Sequence, residues 1–469
     1  MSRINTNVTS LFAINNLARS NDDLTTALRR LSSGLRINSA ADDPSGLIVS
    51  EELRGEKAAL AQAIDNSVRA GNIVATAEAA LNEVSALLVS VKDLVVEAAN
   101  SGALSDEEIE ANQLAIDNAV SSITRIARTT RFAGRELLNG TLAFRTSGVD
   151  SSDLAKLSLY SVEFGGNANV QVTINVTASA QTAATVLLSA TSSLAADVTF
   201  EFGGVLGAEV LSFASGAKAS AVADAINNFT EGTGVSAVLN ASGVKIDLYS
   251  TDYGSSAFVS VREIDGTLPG QGVDYDVGQD AGGTINGVTA VGDALSLTLK
   301  STVLDVRVLL DTAFGIGTST FYVTGGGAIF QLGSVVNPNG QVRLGIDSLT
   351  ASNLGNNNDG YLSDIVTGGS KTLVEGKAAD AAKVLDAVIM DVAGIRGRLG
   401  AFVSNVVDPT VNSLQVAYEN VAAAESLIRD ADFSAETASL TRAQVLVSAG
   451  STILAIANAS PQAALALLG

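Results

Sequence analysis

Residues 60–98 read LAQAIDNSVRAGNIVATAEAALNEVSALLVSVKDLVVEA, and the fold turns on this stretch. Leu60, Ala63, Ser67, Ala70, Val74, Ala77, Leu81, Val84, Leu88, Val91, Val95 and Ala98 recur at alternating steps of three and four. That is the spacing of one helix face. The register never breaks, which predicts a rod on the order of 60 Å at 1.5 Å per residue. A second column, Ile73, Ala80, Leu87 and Leu94, flanks the first. Two adjacent columns exceed what a two-stranded seam needs, so they predict a bundle of several helices.

Upstream, Ile14, Leu17, Asn21, Leu24, Leu28, Leu31 and Leu35 form a heptad seam with one polar position. Asp43 before Pro44 reads as an N-cap with proline at the first helical position. Downstream, Ser105 and Glu108 form a capping box. The helix it starts has the face Ile109, Gln113, Ile116, Val120, Ile123 and Ala127 and fades near Gly134. Far along the chain the pattern resumes at Leu385, Val388, Val392, Ile395, Leu399, Phe402 and Val406. After Pro409 it restarts one residue out of phase at Leu414, Ala417, Val421, Ala424 and Ile428, which predicts a kink. The last seam, Leu440, Ala443, Val447, Gly450, Leu454 and Ala457, alternates large and small, so another helix can approach at the small positions.

The middle differs. Residues 1–150 hold 8 of the 44 glycines, and residues 179–340 hold 23. The same middle segment has 5 Lys+Arg against 15 Asp+Glu, a net of −10. Val170, Val172, Ile174 and Val176 alternate as a strand. Residues 198–262 read as strand, glycine turn, strand, helix (219–229), strand, strand. Further strand-like runs cover 294–308 and 320–323. The fold class expected is α+β multidomain: long terminal helices in a coiled-coil or bundle core around a β-rich inserted outer domain. The expected boundaries are 1–43 with 430–469 for an inner terminal domain. A helical core domain with a β-hairpin takes 44–178 with 341–429, and the outer insertion takes 179–340. The terminal pair carries little besides a seam and cannot bury it alone, which is a physical argument for a polymer.

Composition removes several functions. The 469 residues contain no cysteine and no histidine, so Ser-His-Asp catalysis, Cys-His catalysis and the usual zinc sites are closed. No cofactor, metal site or catalytic set is expected. The net charge is 28 − 49 = −21, which repels phosphate backbones and argues against nucleic acid. Mean hydropathy is +0.31, yet the most apolar stretch, residues 87–99, holds Lys92, Asp93 and Glu97, so no membrane span is expected. The amino terminus has no basic region followed by an apolar run and cleavage site, which predicts a cytoplasmic protein or one exported without a cleaved signal.

The two ends resemble bacterial flagellin. The motifs are Ile4-Asn-Thr-Asn7, Leu31-Ser-Ser-Gly-Leu-Arg-Ile-Asn-Ser-Ala40 and Asp42-Asp43-Pro44-Ser-Gly46 at one end. At the other they are Ile428-Arg-Asp-Ala-Asp-Phe433, Arg442-Ala-Gln-Val-Leu446 and Ala457-Asn-Ala-Ser-Pro-Gln462. Residues 198–251 also resemble the small module inserted in flagellins and hook-associated proteins. The resemblance implies unfolded export through a type III channel and self-assembly into the extracellular flagellar filament. It implies as partners further copies of the chain, the filament cap and hook–filament junction proteins, and an export chaperone. An outer domain serving adhesion is the alternative. In the family, residues at positions 88, 90 and 94 belong to a motif read by the animal flagellin-sensing Toll-like receptor. Leu88 and Leu94 match, but Ser90 stands where an arginine is normal, so receptor binding is expected to be weak.

Smaller features have plainer readings. Asp274, Asp276 and Asp280 suit a solvated acidic turn better than a calcium loop. Gly325 to Gly327 suit a turn better than a phosphate loop. Asp42 and Asp43 suit capping better than paired catalysis. Arg125, Arg128, Arg131 and Arg135 either complement a helix C-terminus or pair with acids on a neighbouring copy.

Overall fold

The computed structural model describes residues 6–100, 102–188, 192–270 and 274–466. The chain divides into two compact units. One comprises residues up to 68, 332–336 and 407 onward; the other comprises 69–331 and 337–406.

In the first unit, helix α1 (Val8–Ser33) is capped by Asn7, whose Oδ1 accepts the Ser10 N–H at 3.0 Å. It stops at Gly34, whose φ of 72° suits glycine and whose N–H returns to the Arg30 carbonyl at 2.8 Å. Helix α2 (Pro44–Ala98) begins after a turn held by Asp42, which accepts the Asn38 and Ser39 N–H groups and pairs with Arg29 at 2.7 Å. Asp43 accepts the Gly46 N–H at 2.9 Å, as its capping role requires. A Cβ on Gly46 would lie 2.4 Å from that carboxylate and 2.7 Å from Ile37, so any larger residue would have to displace both side chains.

In the second unit, every residue of the α2 column from Ala70 to Ala98 is buried, and Ile73, Ala80, Leu87 and Leu94 are half-buried. Leu60, Ala63 and Ser67, which belong to the first unit, continue the same buried line. Helix α3 (Asp106–Thr129) carries the full capping box, with Ser105 accepting the Glu108 N–H at 3.3 Å and Glu108 accepting the Ser105 N–H at 2.8 Å. Its expected polar core residue, Gln113, has all its needs met. The amide donates to the Ile365 carbonyl and Asp117, and its oxygen accepts the Leu373 N–H at 2.9 Å.

Two β cores follow. The first packs a five-stranded antiparallel sheet, in the order 288–289, 282–285, 170–178, 317–326, 144–147. Against it lies a four-stranded sheet, in the order 291–293, 296–300, 304–310, 154–162. Val172, Ile174, Val176 and Phe321 meet Leu159, Leu297, Val306 and Val308 between them. The second core gathers strands within 182–277 around helix α4 (Ala219–Asn227), with a single turn α5 (Thr230–Thr233) beyond it. Phe200, Phe202, Ile226 and Leu248 are its centre.

This pairing corrects the expected 179–340 domain. Strands 282–285, 304–310 and 317–326 belong to sheets with 144–178, and only about 182–277 builds a core of its own. Entry and exit of that module lie side by side, because Gln181 and Gln279 exchange backbone hydrogen bonds at 2.8 and 2.9 Å. Alternating hydrophobicity reveals strands, but not which strands pair.

Helix α6 (Ala378–Phe402) is pinned to the first β core by charged side chains. Lys156 pairs with Asp391, and Arg398 lies over the Tyr160 ring within 3.9 Å of Asp305. A π-turn, Val403–Val407, then leads into α7 (Asp408–Arg429), with Pro409 in its first turn. A π-turn inserts one extra residue, which is the physical form of the one-residue phase slip. Helix α8 (Phe433–Ala466) closes the chain.

Candidate functional site: the paired terminal helices

Helices α1 and α8 run together, and the polar contacts between them settle their register. Asn7 donates to the Ala457 carbonyl at 2.7 Å, and the Ser10 hydroxyl donates to Asn458 Oδ1 at 2.7 Å. At the other end Arg30 pairs with Glu436 at 2.9 Å. Beyond it, Arg36 N–H meets the Arg429 carbonyl at 2.7 Å and Ala431 N–H meets the Gly34 carbonyl at 2.9 Å. Arg429 reaches Glu51 at 2.8 Å, and Lys57 pairs with Glu425.

The seam expected on α8 faces α1: Ala443 is buried, and Leu440, Val447, Gly450, Leu454 and Ala457 are half-buried. At Gly450 the helices come close. A Cβ there would lie 3.3 Å from Leu17 Cδ1 and 3.7 Å from Leu17 Cβ, so glycine lets α1 approach.

On α1 the expected seam residues divide between two faces. Leu17, Leu24 and Leu31 are half-buried, and Leu35, just past the helix, pairs with Asp430 in an isolated β-bridge. Ile14 and Leu28 face away, 46% and 50% exposed. Their places on the inner face are taken by Ser10, Ala13 and Ala27, all buried. Small residues win because they let the two backbones approach, whereas a reading weighted to large aliphatics selects the neighbouring column. The signal was present in Ser10, Ala13, Leu17, Ser20, Leu24 and Ala27, which follow one another at the same three-four spacing. A large apolar surface stays open on both helices: Val8, Leu11, Phe12, Val445, Ile453 and Ile456 are each at least 49% exposed.

The remaining positions fall out plainly. Leu88 is wholly buried, Ser90 exposed and Leu94 half-buried. The Asp280 carboxylate holds the Ser255 and Ala294 N–H groups and lies below the ordinary carboxylate range through the Ser255 hydrogen bonds, while Asp276 accepts the Ala184 N–H. Both are turn pins. Gly325 and Gly326 end the 317–326 strand, and a Cβ on Gly326 would meet the Ala143 carbonyl at 2.3 Å, so this glycine admits a neighbouring backbone. Among the described residues no group of His, Cys, Asp and Glu side chains is arranged to hold a metal. The most apolar stretch is not 87–99 but lies on α8, where the 27 residues Phe433–Ala459, at mean hydropathy 1.4, are long and apolar enough to cross a membrane by length and composition alone. Its apolar residues run around the helix, so a face-by-face reading does not register the total.

Helices from the two chain ends, paired with each other and apolar on their outer sides, define a structural subunit. Comparison with known proteins places it more closely. Residues 4–143 match the bacterial flagellin N-terminal helical region, 382–468 the C-terminal helical region, and 199–252 the flagellin hook IN motif. The chain is 30% identical to the B-type flagellin of Pseudomonas aeruginosa and 30% identical to polar flagellin F of Vibrio parahaemolyticus. It is 28% identical to flagellin B of Helicobacter pylori, and each alignment covers 99% of both chains. The chain belongs to the bacterial flagellin family, the structural subunits of the flagellar filament.

Proposed function

We propose that this flagellin leaves the cell unfolded through the flagellar type III apparatus and polymerises outside through α1 and α8 into a motile filament. The observation that carries the reading is the open apolar surface on both terminal helices, with Ile14 and Leu28 exposed beside a seam of small residues. An apolar face this size is costly in water and is covered when copies pack together. The absence of cysteine supports threading, since no disulfide obstructs an unfolded chain. The 182–277 module faces outward in this reading. The partners are copies of the chain, the cap and hook–filament junction proteins, and an export chaperone. The animal receptor is a weak partner, because a hydroxyl at Ser90 cannot supply a guanidinium fork. No catalytic role is assigned. The apolar stretch of α8 serves the polymer and not a bilayer, since its heptad seam is already engaged with α1.

Electron microscopy of the purified chain against a version trimmed to residues 45–430 tests the proposal. The full chain gives tubes, and the trimmed chain gives a folded, soluble body. Filaments from the trimmed chain, or none from the full chain, overturn it.

A further inference from the structure

The outward face of α3 carries a charge pattern that the helix dipole explains only in part and that no ion pair within its own unit engages. Glu107, Glu110, Leu114, Ser121, Arg125 and Arg128 follow one another at heptad spacing, opposite the buried column, and all are exposed. Leu114 is 61% exposed at the centre of this stripe. One end is acidic and the other basic. Among the described residues none of these four charged side chains has an ion-pair partner, whereas nearby Arg131 pairs with Glu136 at 2.5 Å. Complementing the helix dipole accounts for charges in the first and last turns only, because the effect fades within one turn. Glu107 and Arg128 sit in those turns, whereas Glu110 and Arg125 lie beyond them, toward the middle of the helix. Beside the basic end, a groove of about 640 Å³ opens between α3 and residues 366–367. Ser121, Thr124, Arg125 and Arg128 line it, and its one carboxylate, Asp117, is already engaged by the Thr367 N–H at 2.9 Å and by Gln113.

The spacing selects the occupant. Glu107 to Arg125 is 18 residues, and Glu110 to Arg128 is also 18. A single stagger of about 27 Å between two parallel copies, at 1.5 Å per residue, therefore brings both acids against both arginines. Parallel copies with no stagger would set acid against acid and base against base. We propose that the α3 stripe is a contact between copies, in which Glu107 and Glu110 of one subunit pair with Arg125 and Arg128 of the next, staggered by about 27 Å. The contact is heterologous, so it propagates along a polar filament without closing. It rests on the polymer reading above. The pairs are exposed at the rim, so they set register and salt dependence more than total affinity.

Two charge-reversed proteins test it: Arg125→Glu with Arg128→Glu, and Glu107→Arg with Glu110→Arg. Each is checked for a wild-type far-ultraviolet circular dichroism spectrum as monomer. Each alone should need at least ten times the wild-type concentration to form filaments at low salt. An equimolar mixture should polymerise near the wild-type concentration, because each variant supplies the charge the other lacks. The contact is overturned if either variant alone polymerises like wild type, or if the mixture stays soluble while wild-type filaments form in the same assay. Wild-type chain that forms no filaments overturns the polymer reading itself, and this contact with it.

Discussion

Ala27 and Leu28 are neighbours in sequence and a third of a turn apart on α1, and they separate folding from assembly. Ala27 is 3% exposed against α8, while Leu28 is 50% exposed and points away. Full burial of a leucine stabilises by about 1.5–3 kcal/mol, so covering the open half of Leu28 in a filament contributes about 1 kcal/mol. Leu28→Ala should therefore raise the critical concentration for assembly roughly fivefold. Leu28→Asp adds the cost of an unpaired carboxylate in an apolar contact, about 3 kcal/mol after relaxation. Together these amount to about 4 kcal/mol, or roughly a thousandfold in critical concentration. Neither change should alter the monomer by more than about 0.5 kcal/mol, since the site is open there. Ala27→Asp should instead part α1 from α8 within one chain. Sedimentation across a concentration series reads assembly, and hydrogen exchange on α1 reads pairing. Leu28→Asp protein that assembles at the wild-type critical concentration would refute the argument that this face is buried between copies.

Removing residues 182–278 and joining 181 to 279 should leave a folded chain that still forms filaments. Removing 179–340 should not fold, because strands 304–310 and 317–326 are lost from sheets that 144–178 cannot complete. Solubility and electron microscopy distinguish the two. The Asp347 carboxyl is raised to about 6 by burial, with Asp391 adding to the rise and Lys156 and Arg398 opposing it. The folded state therefore holds this proton more tightly than the unfolded state, and stability falls as pH rises from about 4 to about 6. Asp347→Asn should flatten that part of the profile by at most about 3 kcal/mol, an upper bound because the side chain is half-buried and water screens it. Wild type and Asp347→Asn that lose the same unfolding free energy between pH 4 and pH 7 in denaturant titrations would count against this. Ser90→Arg should increase signalling by the animal receptor in a reporter assay, since position 90 is exposed while Leu88 is not available for contact. An unchanged response would show that Ser90 does not limit recognition.

Much of the helical framework was legible from spacing alone. The α2 column, the α3 face with its buried Gln113, both caps and the α8 seam all rest on local periodicity and side-chain chemistry, which need no knowledge of the partner. Even the slip at Pro409 was readable, because a π-turn displaces every later residue by one position. What the sequence could not decide was partnership. Two columns compete on α1, and only the approach of α8 at Gly450 selects the smaller one and turns Ile14 and Leu28 outward. Strand 170–178 is plain from its alternation, but its neighbours lie more than a hundred residues away at 282–285 and 317–326. An apolar face states that something must cover it. Which element does so depends on the shapes and distances of surfaces remote in the chain, and those exist only once the tertiary structure has formed.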